Sequence, residues 1–185
     1  MNALSLAALI FTSSFLAGAR AQADSIAGGC IQVRGGISDG GTIYQSSNAQ
    51  LTGVAAQAEL GWRPGSFMRL GLTALFESAT LKNSSTTFGQ IQLWSYGANL
   101  RLYFVPKVFV EGAAGQTEAD LAVANTQFHQ RAVGTFTAIG SGVEFPLGNQ
   151  FALEMAVSVR NVVFPKKEYE NMTSLIYTAG FDIYF

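Results

Sequence analysis

Leu175-Ile176-Tyr177-Thr178-Ala179-Gly180-Phe181-Asp182-Ile183-Tyr184-Phe185 closes the sequence and reads as a β-strand with two unlike faces. Successive side chains of a strand point to opposite sides. Leu175, Tyr177, Ala179, Phe181, Ile183 and Phe185 therefore make one continuous apolar face, and Gly180 and Asp182 fall on the other.

Working outward from this strand, period-two segments recur as far back as Ile31. The apolar positions include Val54, Ala56, Ala58, Leu60 and Trp62, then Leu70, Leu72, Ala74 and Phe76, then Trp94, Tyr96, Ala98, Leu100 and Phe104. The intervening positions are polar, charged or small. Three connections are short and contain proline, at Arg63 to Ser66, Val105 to Lys107 and Pro146 to Asn149. Four read as long loops rich in Ser, Thr, Asn, Gly or charge, at Ser38 to Gln50, Ala79 to Gln90, Thr117 to Arg131 and Phe164 to Met172. Three tight turns and four loops are what eight antiparallel strands need when both termini lie at the tight-turn end. The expected fold is all-β, a transmembrane antiparallel up-and-down β-barrel of eight strands.

Composition points the same way. Residues 1–23 hold an apolar run from Leu4 to Gly18 followed by Ala19-Arg20-Ala21-Gln22-Ala23, two overlapping small-x-small cleavage sites, and read as a secretory signal peptide. Residues 24–185 form the barrel domain. Of the charges, the leader contains only Arg20, so those 162 residues (185 − 23) carry 10 basic and 12 acidic side chains. A small negative balance argues against a nucleic-acid partner. Only 12% of the chain is charged, against roughly 25% in a soluble domain, and no apolar run after residue 23 reaches the ~18 residues of a membrane helix. A membrane-like composition without membrane helices leaves a closed barrel as the way to satisfy the backbone in lipid.

Period alone leaves open which face is inside. A soluble barrel, apolar within, is the alternative. Three features favour the membrane reading: Lys82, Lys107, Lys166 and Lys167 fall in loops or turns; Trp62, Phe67, Phe104, Phe109, Phe145, Phe151 and Phe185 gather beside the tight turns as an interface girdle; and the polar face mixes glycine with Glu and Arg, as a narrow packed lumen would.

The lumen is then the place for chemistry. The polar face supplies Arg34, Arg69, Arg101 and Arg160 with Glu59, Glu77, Glu111, Glu144, Glu154 and Asp182. Inside eight strands such charges must pair, and the arginine fork suits two carboxylates. A structural charge network is the plain reading, and a salt-bridge gate on a narrow pore the sharper one. Catalysis is not expected: the sole histidine, His129, has Arg131 two residues on, where lipid A deacylases carry serine. No cofactor or transition-metal site is expected, since one His and one Cys cannot make one. Cys30 reads as a buried, inert thiol. Leu81 to Phe88 and Pro165 to Glu170, in two of the loops, could grip sugars, phosphates or a receptor.

Phe109-Val110-Glu111-Gly112-Ala113-Ala114-Gly115 after a turn, Gly140-Ser141-Gly142-Val143-Glu144-Phe145 before one, and Gly180-Phe181-Asp182-Ile183-Tyr184-Phe185 at the end together resemble the small bacterial outer-membrane barrels of the OmpA transmembrane-domain, OmpX and OmpW kind. The resemblance implies a monomer in the outer membrane with periplasmic termini and contacts to outer-membrane lipids and lipopolysaccharide. It also implies delivery by periplasmic chaperones and insertion by the barrel assembly machinery, with Tyr177, Phe181, Ile183 and Phe185 as the assembly signal. The role it implies is non-enzymatic, structural or surface-interacting through four extracellular loops. A narrow pore for small or hydrophobic solutes is the alternative.

Overall fold

The computed structural model describes residues 28–44, 47–83, 86–105, 107–123, 129–165 and 169–185. The expected leader, 1–23, lies outside them. Eight strands are formed: β1 (Gly28–Tyr44), β2 (Ser47–Gly65), β3 (Met68–Asn83), β4 (Thr86–Val105), β5 (Val108–Val123), β6 (His129–Pro146), β7 (Phe151–Val163) and β8 (Tyr169–Tyr184). Each pairs antiparallel with the next, and β8 returns to β1, so the sheet is a closed barrel without a free edge over its paired length.

The register fixes the barrel's dimensions. Following partners once around gives Ile31, Leu60, Leu72, Ala98, Ala114, Thr137, Asn161, Thr173 and then Gly41. The path regains β1 ten residues further on, since 41 − 31 = 10. Eight strands with that stagger tilt by about 40° and leave an interior just wide enough for side chains. Each residue then advances about 2.5 Å along the axis. A Cβ on Gly97 would meet the backbone of Ala114 and Gly115, and one on Gly115 that of Tyr96 and Gly97; this paired glycine site lets β4 and β5 approach each other closely.

The outer face carries an apolar band between two aromatic girdles. Near the tight turns stand Trp62, Phe67, Phe104, Phe145, Phe151 and Phe185, all exposed. Towards the other end stand Trp94, Tyr96 and Tyr177, with Phe76 packed 4.5 Å from Trp94. From Trp94 to Phe104 is ten residues, about 25 Å along the axis, the height of a lipid-facing band. Phe109 departs from the expected girdle. It shares the parity of Glu111, faces the lumen and is fully buried.

The four expected long loops are largely strand. β1 runs to Tyr44 and β2 begins at Ser47; β3 runs to Asn83 and β4 begins at Thr86; β5 runs to Val123 and β6 begins at His129. Within Phe164 to Met172, β8 already begins at Tyr169, and 166–168 lie outside the described residues. Lys82 is consequently a strand residue. Arg63, expected in a turn, belongs to β2 and points inward.

The reason is an inversion of polarity along each strand. On β4, Trp94, Tyr96, Ala98, Leu100 and Phe104 face out while Ser95, Asn99, Arg101 and Tyr103 face in; beyond Trp94, Gln92 and Gln90 face out while Leu93 and Ile91 face in. On β2, Val54 to Trp62 show the first pattern, and Thr52 and Gln50 outside with Leu51 and Ala49 inside show the second. The strands therefore continue about 15 to 20 Å past the far girdle as an extension with a polar outer face and an apolar interior. There Leu51, Leu81, Ile91, Leu93, Leu121, Phe136, Val162, Phe164 and Met172 form one cluster.

Candidate functional site

Parity brings all ten predicted charges into the lumen, where they are buried, but it does not join them into one network. Eight lie together towards the tight turns. Arg34 forks onto Glu111 with both Nη–Oε distances 2.8 Å, and its Nε donates to Gln32 Oε1 at 2.8 Å. Arg101 bridges Glu111 (2.8 Å) and Glu154 (2.5 Å), with its guanidinium 3.8 Å above the Phe109 ring. Arg69 Nη1 donates to Asp182 at 2.8 Å, and its Nε lies 3.0 Å from Glu59, a charge contact without hydrogen-bond alignment. Gln32 Nε2 ties Glu154 (2.6 Å) to Asp182 (2.8 Å). Glu144 accepts from Tyr103 at 2.7 Å and faces Arg63 at 3.4 Å.

Every strand contributes: Gln32 and Arg34 from β1, Glu59 and Arg63 from β2, Arg69 from β3, Arg101 and Tyr103 from β4, Glu111 from β5, Glu144 from β6, Glu154 from β7 and Asp182 from β8. Breaking the wall anywhere would separate charges that have almost no access to water. Oxygens of Glu144, Glu154 and Asp182 come within 4.8 Å of one another, with Arg63, Arg69 and Arg101 as their positive partners.

Glu77 and Arg160 stand apart, paired with each other at the level of the far girdle. Arg160 also donates to Ser95 (3.2 Å), and Glu77 accepts from Ser174 (3.1 Å). Between this pair and the main network is a space of about 20 Å³, beside Gln57, Asn99 and Ser158. It has room for one water molecule. Beyond the pair, the apolar cluster fills the lumen.

Gln32, Arg63, Tyr103, Phe109 and Tyr184 are lumen residues missing from the sequence-based set. Each was findable by parity, lying two or four residues from Arg34, Glu59, Arg101, Glu111 or Asp182. Tyr177, Phe181, Ile183 and Phe185 all point outward from β8 or its end. Cys30 is buried beside Ala152 and Tyr184 at the turn end. His129 is the first residue of β6, paired with Ala122; its side chain lies outside those described.

No protein-family model and no curated protein matches the sequence. Similarity appears in three dimensions. Neisserial surface protein A superposes with a TM-score of 0.59 at 13% identity, covering 85% of this chain and 97% of that one. Ail, the attachment invasion locus protein of Yersinia pestis, gives 0.56 at 12% identity, with 84% and 99% covered. The outer-membrane protein AlkL gives 0.53 at 11%, with 91% and 94% covered. At such identities the likeness is one of fold. The chain is thus an eight-stranded barrel with the fold of the small bacterial outer-membrane proteins, and its outer face carries an exposed apolar band.

Proposed function

We propose that the protein is a closed, non-enzymatic barrel that adds rigidity to the bacterial outer membrane and offers its extension for surface interactions. The observation that carries this reading is the filling of the lumen, by an ion network tying eight strands together and then by an apolar cluster. Ions would have to cross both. In this reading both termini and the tight turns face the periplasm, the extension stands outside the cell, and the barrel works as a monomer among outer-membrane lipids and lipopolysaccharide. Chaperone delivery and insertion by the barrel assembly machinery, guided by the outward aromatics of β8, complete it. A surface role suits the company of Ail, named for attachment and invasion. The interacting surface here is a rigid strand wall where long loops were expected.

Three measurements test the proposal. The refolded protein should run as a compact band in unboiled gel samples and be silent in a planar bilayer. Discrete openings that change in Arg101→Ala or Glu59→Ala would overturn it in favour of a gated pore. A cysteine introduced at exposed Lys82 should react with a membrane-impermeant maleimide in intact cells; protection until the cells are opened would reverse the assigned orientation.

A further inference from the structure

The outward face of the extension is polar, with amides and hydroxyls at Gln50, Thr52, Gln90, Gln92, Thr135 and Thr173 and charges at Lys82, Glu118, Asp120 and Arg131. An apolar site stands among these described residues. Val133 and Val163 lie outward, 58% and 43% exposed, where β7 ends while β6 continues. Together with Gln116, Gly134, Thr135 and Pro165 they line a groove of about 300 Å³. Gly134 has no side chain, and a Cβ there would meet the Phe164 ring at 2.8 Å. Phe164 belongs to the apolar cluster, so the groove is closed from the lumen and opens outward.

Its chemistry is amphipathic on a small scale. The floor is valine and proline. At the rim, Tyr96 donates its hydroxyl to Gln116 Oε1 at 3.0 Å, which fixes the amide and directs its NH₂ elsewhere, and Thr135 offers an exposed hydroxyl. The nearby cation, Arg131, faces Asp120 at 3.7 Å, and Glu118 pairs in register with Val133. These surroundings do not favour a phosphate or sulfate. An apolar floor edged by a donor and a hydroxyl matches a pyranose ring, whose C–H face is apolar and whose edge carries hydroxyls.

Depth identifies the source. Trp94, Glu118 and Val133 are successive ladder partners, and two strand steps in this barrel climb about 6 Å. That is headgroup depth just beyond the hydrocarbon, roughly 5 to 7 Å thick on each side. We infer that the groove seats an uncharged sugar ring carried on a neighbouring lipid. This inference rests on the membrane placement above.

The test uses the full barrel in nanodiscs of phosphatidylcholine with digalactosyl diacylglycerol, and in matched discs with phosphatidylglycerol. Methyl NOEs are read at Val133 and Val163, and at Leu72 and Ile139 in the band. The expected result is sugar-ring NOEs at Val133 and Val163 in the glycolipid discs alone, reduced several-fold by Gln116→Ala and by Val133→Asp. Acyl NOEs at Leu72 and Ile139 without sugar NOEs overturn the inference and leave the placement standing; loss of both overturns both. Acyl-chain NOEs at the groove, sugar NOEs indifferent to both variants, or displacement of the lipid signal by millimolar free galactose would also overturn it.

Discussion

Replacing Arg101 with methionine tests the lumen network at its centre. The main network holds four guanidiniums, on Arg34, Arg63, Arg69 and Arg101, against five carboxylates, on Glu59, Glu111, Glu144, Glu154 and Asp182. Arg101→Met enlarges the negative surplus and takes from Glu154 its 2.5 Å and 3.2 Å contacts. Glu111 keeps both bonds from Arg34, whereas Glu154 retains Gln32 and a 3.1 Å contact to Arg34. Removing one partner of a buried pair costs about 3 to 5 kcal/mol. Glu154→Gln, by contrast, reduces the surplus and keeps an acceptor, so about 1 kcal/mol is expected, the value of one hydrogen bond. The double variant should cost less than the sum, with a coupling of about 1 to 3 kcal/mol. The assay is equilibrium denaturant unfolding in lipid vesicles, followed by Trp62 and Trp94 fluorescence and by gel mobility. A cost for Arg101→Met under about 1 kcal/mol, the range of a solvated pair, would refute the reasoning. So would strict additivity, or a Glu154→Gln cost equal to that of Arg101→Met.

Leu72→Arg, on the exposed band, should cost about 2 to 4 kcal/mol in vesicle unfolding, while Thr52→Arg, outward on the extension, should stay within about 0.5 kcal/mol; equal costs would mean that the lipid boundary is misplaced. Arginine at Leu153 should cost less than at Leu72, because Leu153 pairs with Phe145 and Phe181 close to the turn-end girdle, away from the midplane. Leu93→Ala, in the apolar cluster, should lose about 2 to 5 kcal/mol; a smaller loss would show a loosely packed extension. Ser158→Arg should destabilise and lower the folded yield on gels, although the position is on the polar face, because the space beside it holds little more than one water.

Alternation fixed by strand geometry made much of this protein legible in one dimension. Because side chains on a strand swap faces at every residue, parity alone separates Arg34, Glu59, Arg69, Arg101, Glu111, Glu154 and Asp182 from Val33, Leu60, Leu70, Leu100, Val110, Leu153 and Phe181, and proline-bearing turns count the strands. The tertiary structure decided where one solvent gives way to another. Between Trp94 and Gln92 the polarity of each face reverses, which the proposed placement reads as the change from lipid to water outside, and a segment that reads as loop by its polar residues is strand by its pairing. Phe109 and Arg63 are a separate case at the tight-turn end: their residue types suggested girdle and turn, while the parity of Glu111 and Glu59, carried to the ends of β5 and β2, places both in the lumen. Which guanidinium meets which carboxylate, the isolation of Glu77 with Arg160, and the groove at Val133 depend on stagger between strands far apart in sequence, and no local pattern encodes that stagger.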